Sequence, residues 1–340
     1  MATHPVWRRT YPVALLMLVP LLLISGCRSD NAGTGKQAPP AAVTICVGGA
    51  PGIPAVLAQE LGLFARKGVT ATLKKYTAGS LAFEGALAGD CEMTIVGETP
   101  VVMKSFERQD FSILATLAAS DDSTRVLANA ARGIRRPEDL KGKRIFVHKG
   151  STNHYFLEMF LLRNGLSAKD VTLIFQNPED VSAALLKGSI DAFTATEVLI
   201  NKPRKALGDK AVVFRSPGLC RISFNLVAGS GFVREKPKAA VSVLAALIES
   251  VDAIAKDRPR AIQALSRSLN VKEDEMAGML DGYSWHADLA QALLLSLEQE
   301  ARWAISVGLT QKTTMPNYLD FIDAYPLRIL KPEAVTMLKQ

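Results

Sequence analysis

The chain has 340 residues, of which 48% are hydrophobic and 21% are charged, and its formal net charge is +7. This length is about twice that of a typical domain, and the hydrophobic content is ample for packed cores, so we expect two lobes. The lysines and arginines are scattered and rarely interleaved with aromatic residues, which argues against a nucleic-acid-binding surface.

The first 27 residues have the order of features that a signal peptide requires. Arg8 and Arg9 give a positive start, residues 13–23 form an apolar run that is short for a membrane span, and small residues stand directly before Cys27. Small residues before a cysteine resemble the bacterial lipobox. That resemblance implies cleavage before Cys27, lipidation of its thiol and a chain tethered to a membrane by acyl chains. The alternative is an ordinary secretory signal with an incidental cysteine.

We therefore predict residues 1–26 as a lipoprotein signal peptide and residues 27–42 as a flexible tether, because the latter stretch is small, polar and proline-bearing. Arg28, rather than an aspartate, follows the cysteine. By resemblance to Gram-negative sorting rules, this favours the outer membrane slightly. The expected location is the periplasm, with a lipid anchor in a bacterial membrane.

The remaining cysteines are Cys46, Cys91 and Cys220, which lie far apart and share no metal-type spacing. An exported protein can oxidise one pair. Each cysteine, however, lies near a predicted strand, where a small buried thiol is the commoner outcome. We expect no essential disulfide. The four histidines show no metal spacing either, and we expect no metal and no cofactor.

From residue 43 the pattern alternates between strand and helix, which predicts parallel sheets with helical crossovers. The predicted strands are 43–47, 70–76, 93–96, 112–117 and 124–129 in a first series, and 144–148, 171–176, 191–194 and 211–215 in a second. After a strand at 224–228 the pattern is almost wholly helical. The sequence therefore predicts two α/β lobes and a helical C-terminal region.

A faint internal repeat supports the two lobes, since residues 86–100 can be aligned with residues 185–199. Each segment reads as helix, glycine cap, acid, strand and then a glutamate at the C-terminal edge of the strand. The aligned pairs are Gly89 with Gly188, Glu92 with Asp191, and Glu98 with Glu197. The alternative is chance similarity between two βα units.

Small hydroxyl and amide residues follow several of the predicted strands. In open α/β sheets, ligands bind beyond the carboxyl ends of strands, where helix N-termini attract anions. The turn at 150–153 has this position, and so do residues 77–80, 97–100, 119–120 and 196–197. Helix capping is the alternative explanation for each turn taken singly. Five such strand ends in two lobes predict a cleft.

Four segments resemble the nitrate/sulfonate/taurine-type periplasmic substrate-binding proteins of ABC importers, which include relatives that bind pyrimidine precursors of thiamine. The segments are LAQELGLFARKGV, GETP, RRPEDLKGKRIFVHKGSTNHYFLEMFLLRNGL and LLKGSIDAFTATE. The resemblance runs from about residue 43 to 230. It implies the two-lobed type II periplasmic-binding-protein fold, in which each lobe is a mainly parallel sheet flanked by helices and a helical C-terminal region follows.

By the same resemblance, two strand-like crossovers join the lobes, near residues 128–133 and 221–228. The second lobe is then inserted within the first. The resemblance thus implies that residues 43–130 are the first part of lobe 1, that residues 131–222 are lobe 2, and that residues 223–340 complete lobe 1 and add the C-terminal helices.

Carried over by position, the family's ligand contacts fall on fifteen residues of this chain. They are Gly49, Ala50, Pro51, Gly79, Ser80, Glu98, Thr99, Ser120, Gly150, Ser151, Thr152, Asn153, His154, Thr196 and Glu197. Many relatives carry a tryptophan before the acid at 197. Thr196 replaces it here, which removes an aromatic ring that could cover the ligand.

Two opposing signals bear on the ligand. Helix N-termini with hydroxyls favour an anionic head such as a sulfonate or carboxylate, whereas Glu98 and Glu197 would repel a bare anion. Because an unpaired buried carboxylate is costly, at least one of them is expected to meet a ligand cation, an amine donor or a protein base such as Lys149. A taurine-like zwitterion or an amino-pyrimidine satisfies both signals. In the alternative, both glutamates cap their own helices.

The sequence and the resemblance together predict a monomeric substrate-binding lipoprotein of an ABC importer. It would close its lobes on a small anionic or zwitterionic organic compound and dock on a permease that works with an ATPase. One rival is a same-fold enzyme with His148 or His154 as reactive group. The other is a lipoprotein that senses a ligand without transport. The sequence shows no Ser/His/Asp set, P-loop or metal spacing, so we predict binding without catalysis.

Overall fold

The computed structural model describes residues 39–175 and 181–337, except for the side chains of residues 197 and 198. The predicted signal peptide, Cys27 and most of the predicted tether lie outside the described residues. The part that begins at Pro39 forms one unit. Within this described part, no helix is both long enough and apolar enough to cross a membrane.

The described part contains eleven strands. They are β1 (Ala41–Gly48), β2 (Val69–Tyr76), β3 (Met93–Gly97), β4 (Phe111–Ser120), β5 (Thr124–Asn129), β6 (Arg144–Phe146), β7 (Thr172–Ile174), β8 (Ala192–Thr196), β9 (Ala211–Phe214), β10 (Ile222–Gly229) and β11 (Ser284–Asp288). The short strand β3 is buried on both faces, and so is β8 except for its last residue, as expected for strands covered by helices.

Thirteen α-helices accompany these strands in the described residues. They are α1 (Ile53–Glu60), α2 (Leu63–Arg66), α3 (Gly79–Leu87), α4 (Glu98–Ser105), α5 (Thr152–Arg163), α6 (Val181–Lys187), α7 (Glu197–Leu207), α8 (Ser230–Glu235), α9 (Pro237–Lys256), α10 (Arg258–Leu269), α11 (Glu273–Asp281), α12 (Gln291–Ser306) and α13 (Tyr325–Leu330). The helical C-terminal region is therefore present.

The strands form two sheets, one of six strands and one of five. The first sheet runs β11-β4-β10-β3-β1-β2 and the second runs β7-β6-β8-β5-β9. In the first, β1 is parallel to β2 and β3, and β10 is antiparallel to β3 and β4. In the second, β6 is parallel to β7 and β8, and β5 is antiparallel to β8 and β9. We call the first sheet with its helices lobe 1 and the second, with α5, α6 and α7, lobe 2.

The chain passes from the first sheet to the second between Ser120 and Thr124, and returns between Phe214 and Ile222. The first passage lies a few residues before the crossover expected at 128–133. The reason is that residues 124–129 are already β5, which pairs with β8 and β9 of the second sheet.

The internal repeat is confirmed by two matching side-chain contacts. Glu92 accepts a hydrogen bond at 2.7 Å from the backbone N–H of Thr44 on β1. At the aligned position, Asp191 accepts one at 2.9 Å from the backbone N–H of Arg144 on β6. In each lobe, an acidic residue directly before one strand (β3 or β8) thus accepts a hydrogen bond from the parallel strand beside it (β1 or β6).

One C-terminal segment differs from the helical expectation. Residues Ser284–Asp288 form β11, which pairs antiparallel with β4 at the edge of the first sheet. The segment SWHAD alternates between polar and apolar residues, but it is only five residues long and lies between helices, so the helical expectation overlooked it.

Cys46 and Cys91 form a disulfide, with their Cα atoms 5.7 Å apart. The expectation of isolated buried thiols is therefore wrong for this pair, although Cys220 is a free and buried thiol. The two cysteines are 45 positions apart in the sequence. They meet because β1 and β3 are neighbours in the sheet, which the spacing alone does not reveal.

Candidate functional site

A cavity of about 100 Å³ lies between lobe 1 and lobe 2, where strands from both sheets end. Its lobe 1 side is formed by residues that follow β1, β2 and β3, and its lobe 2 side by residues that follow β6 and β8. Such positions beyond the carboxyl ends of strands are the usual ligand sites of α/β sheets. The volume is below the roughly 300–1,000 Å³ of sites for drug-sized ligands, which indicates a small ligand.

Nine of the fifteen predicted site residues line this cavity. Lobe 1 provides Gly49, Ala50, Pro51, Gly79 and Ser80, and lobe 2 provides Ser151, Thr152, Asn153 and Thr196. The structure therefore brings together the turns that the sequence pattern had singled out from separate strands. Their contact with a ligand remains a prediction.

Four helices begin at the cavity: α3 and α4 of lobe 1, and α5 and α7 of lobe 2. Their N-caps are Ala78, Gly97, Ser151 and Thr196, and within the described residues none of these side chains forms a capping hydrogen bond. The Ser151 hydroxyl instead donates to the carbonyl oxygen of His148 at 2.7 Å. The Ser151 and Thr196 side chains therefore do not cap α5 and α7, which counts against the capping explanation for these two turns. At the start of α4, by contrast, the Glu98 carboxylate accepts from its own backbone N–H.

Glu98 does not line the cavity. Its buried carboxylate accepts from the backbone N–H of Ser223 at 3.0 Å and 2.8 Å, one distance for each oxygen. Burial raises the pKa of Glu98 to about 7. Burial, and then the charge of Glu98, also raises the pKa of Glu300 on α12. The carboxylate therefore ties the start of α4 to β10, which returns from lobe 2, and the expected contact between Glu98 and a ligand cation has no support in this geometry.

Three further predicted residues also lie off the cavity. Thr99 is buried on α4, and the Ser120 hydroxyl donates to the carbonyl oxygen of Gly282. Gly150 has φ of 71° and lies in an adjoining cavity beside Met103. The Glu197 side chain lies outside the described part of the molecule, so its predicted role stays a prediction.

His154 is buried on α5, away from the cavity. Its ring lies 5.7 Å from that of Phe175 and 5.4 Å from that of Trp303, centroid to centroid. The backbone N–H of Gly150 donates to Nδ1 at 3.3 Å, so the neutral ring carries its proton on Nε2. Burial lowers the pKa of His154 to about 4. His154 is therefore a packed and neutral histidine, which does not support its role as the reactive group of an enzyme.

The apolar wall of the cavity was not recognised from the sequence. Phe146 from β6, Phe193 from β8 and Phe224 from β10 contribute to it, together with Val181 and Leu199. All three phenylalanines are buried residues of strands, and sequence periodicity does not distinguish a strand side chain that faces a cleft from one that faces a core.

His148 also lines the cavity, and its Nδ1 lies 3.0 Å from the Ser80 hydroxyl of lobe 1. Burial lowers the pKa of His148, and the charge of Glu84 partly opposes that effect. The lining side chains that the structure describes include no lysine, arginine, aspartate or glutamate. Among the described residues, no group of three or more His, Cys, Asp or Glu side chains is placed to hold a metal ion.

Comparison with known proteins gives consistent matches. A family model described as NMT1/THI5 like matches residues 52–261. The taurine-binding periplasmic protein of Escherichia coli (strain K12) is 26% identical over 245 residues, which cover 68% of this chain and 74% of that protein.

Solved structures match over most of the chain. The alkanesulfonate-binding protein SsuA from Xanthomonas axonopodis pv. citri, bound to MOPS, has a TM-score of 0.72 at 19% identity, covering 89% of this chain and 100% of that one. The periplasmic aliphatic sulphonate binding protein SsuA from Escherichia coli has a TM-score of 0.67 at 20% identity, covering 84% and 92%. The fold is that of the periplasmic binding proteins.

Proposed function

Because this chain belongs to the NMT1/THI5-like family, we propose that it is an extracytoplasmic solute-binding protein that delivers a small ligand to an ABC importer. The relatives named above are binding proteins rather than enzymes, which supports binding without catalysis. The partners of a monomer would be a membrane permease and its ATPase.

The observation that carries the proposal is the meeting of four helix N-termini, two from each lobe, at one cavity. Their N–H groups and partial positive charge suit an anionic head, and hydroxyls such as those of Ser80 and Thr152 add neutral donors. A ligand held from both sides stabilises the closed arrangement of the lobes by the difference in its affinity for the closed and open states.

The lining of the cavity narrows the ligand class. Three phenylalanines favour an apolar substituent, while an ammonium group has no described carboxylate to meet, since Glu98 is bound to Ser223. We therefore propose an alkyl or aryl sulfonate as the ligand. A taurine-like zwitterion or an amino-pyrimidine is the alternative, and both depend on Glu197.

Closure involves contacts between the lobes outside the ligand as well. The Tyr155 hydroxyl on α5 accepts from Gln299 on α12 at 3.0 Å, and Lys205 on α7 lies 2.7 Å from Glu275 on α11. We propose that the lobes hinge at 121–123 and 215–221, where the chain passes between the sheets. Opening would break these contacts and admit the ligand.

The test is a thermal-shift panel on the chain without its first 27 residues. Butanesulfonate and benzenesulfonate should stabilise the protein, since a ligand at 100 times its Kd contributes about 2.7 kcal/mol. Taurine, nitrate and an amino-pyrimidine should have smaller effects at equal concentration. Turnover of any of these compounds, or no stabilisation by the sulfonates, would contradict the proposal. A loss of taurine binding in Glu197→Gln would favour the zwitterion instead.

We also propose that Cys27 is lipidated and anchors the protein to a membrane, with the outer membrane slightly favoured. Replacing Cys27 by serine should leave the chain without acyl label and release it from the membrane fraction. Continued acylation of Cys27→Ser would rule out this cysteine as the anchor.

A further inference from the structure

His148 connects the two lobes at the cavity. It follows β6 of lobe 2, whereas Ser80 lies in the first turn of α3 in lobe 1, and His148 Nδ1 is 3.0 Å from Ser80 Oγ. Among the lining side chains that the structure describes, His148 is the one that titrates near neutral pH. Its Nε2 forms no hydrogen bond with a described residue.

The charges around His148 nearly balance. The groups that face it in the adjoining cavity come from α3, from α4 and the turn after it, and from the turn before α5: Glu84, Lys104, Glu107 and Lys149, with His154 one turn further. Burial lowers the pKa of His148 below its ordinary value of 6.5, and Glu84 acts in the opposite direction. In the absence of a ligand the ring is therefore neutral at pH 7.

An anion in this cavity would have neutral donors and helix N-termini around it but no described counter-charge. Burying a charge without a partner is costly. We propose, on the basis of the proposed function, that His148 determines the preference for anionic ligands. When an anion binds, the imidazole ring of His148 takes up a proton. The imidazolium then donates from Nδ1 to Ser80 across the cleft and from Nε2 to the ligand.

The pH dependence follows from the two states of the ring. The pKa of His148 is higher with the anion bound than without it, so binding takes up a proton. Affinity is greatest below the pKa of the free state. It falls by about tenfold for each pH unit as the pH rises between the free-state and bound-state pKa values, and it is constant above the latter. An uncharged ligand of the same size shows no such fall.

Isothermal titration of the mature protein with butanesulfonate, which stays ionised throughout, tests this between about pH 5 and about pH 8. We expect the Kd to rise about tenfold or more over this range, with proton uptake seen as a dependence of the heat on the buffer. In His148→Asn, whose amide can still bond Ser80 but cannot take up a proton, the Kd should stay near the wild-type value at the alkaline end.

His286, which is partly exposed on β11, provides the matched control, and His286→Asn should retain the full pH dependence. His148→Gln serves if the asparagine variant does not fold. Butanesulfonate binding with equal Kd at both pH values, or a pH dependence that persists in both His148 variants, overturns the inference and leaves the proposed function standing. No butanesulfonate binding at any pH overturns both.

Discussion

Reduction of the disulfide between Cys46 and Cys91 should lower the stability of the folded chain by a measurable amount. The bond links positions 45 residues apart. For a closed loop of this length, the chain-entropy relation gives about 4 kcal/mol at 25 °C, because the unfolded chain loses conformational freedom when its loop is closed. Unfolding entropy is roughly 2.1 cal/mol/K per residue, which for about 300 residues converts this difference into a Tm lower by about 6 °C.

The assay is thermal unfolding followed by circular dichroism. Protein refolded with the bond formed is compared with protein refolded under reductant, since both cysteines are buried and reductant does not reach them in the folded state. Cys46→Ala with Cys91→Ala is the matched control, and its Tm should not respond to reductant. Cys220 is a free thiol and remains in every sample. Equal Tm values for the oxidised and reduced wild type would refute the loop-entropy reasoning.

Three further changes test the cleft and its surroundings. In Gly97→Ala the added Cβ would lie 2.5 Å from Thr152 Oγ1 of lobe 2, so the variant should obstruct closure of the lobes. Because overpacking costs about 1–3 kcal/mol, ligand affinity measured by titration should fall about tenfold. Gly229→Ala, whose Cβ meets nothing within 4 Å, is its control, and equal affinities in the two variants would contradict the steric argument. Burial raises the pKa of Glu98 to about 7, so its contribution to stability is present below its ordinary pKa of 4.5 and is lost as the pH rises through 7. The Tm should therefore drop as the pH rises from about 4.5 to about 7 and should level off above that. Glu98→Gln should reduce this drop, and an unchanged drop in the variant would show that other groups cause it. Glu275→Gln removes the partly exposed ion pair with Lys205. Ligand affinity should change by less than about fivefold, because such pairs contribute about 0–1 kcal/mol. A larger loss of affinity would show that this ion pair is a principal contact of the closed state.

Much of the fold could be predicted from local patterns. The strand predicted at 93–96 is Met93–Gly97, and the one predicted at 43–47 is Ala41–Gly48, because short apolar runs between glycines and polar turns suit buried parallel strands. Residues 151–153 of the turn predicted at 150–153 line the cavity, as the small polar residues after the strand indicated. These features depend on residues that are near one another in the sequence.

The contacts of Glu98 and of the cysteine pair could not be predicted, because they join residues that are far apart in the sequence. Glu98 stands at the start of a helix as predicted, but its carboxylate is bound by Ser223, 125 positions later, and so does not face the cavity. The cysteine pair depends in the same way on the pairing of β1 with β3. Strand order decides both contacts, and no local pattern specifies strand order.

The position of β10 has a consequence for how the chain folds. This strand lies between β3 and β4 in the first sheet, yet it follows the whole second sheet in the chain. All five strands of the second sheet come from one continuous stretch, Thr124–Phe214. During synthesis or export, lobe 2 can therefore complete its sheet while the edges of β3 and β4 that β10 joins are still unpaired, because the contacts of lobe 1 are the less local ones. Until β10 arrives, those edges are available to pair with another chain, and an incomplete molecule is most prone to aggregate there.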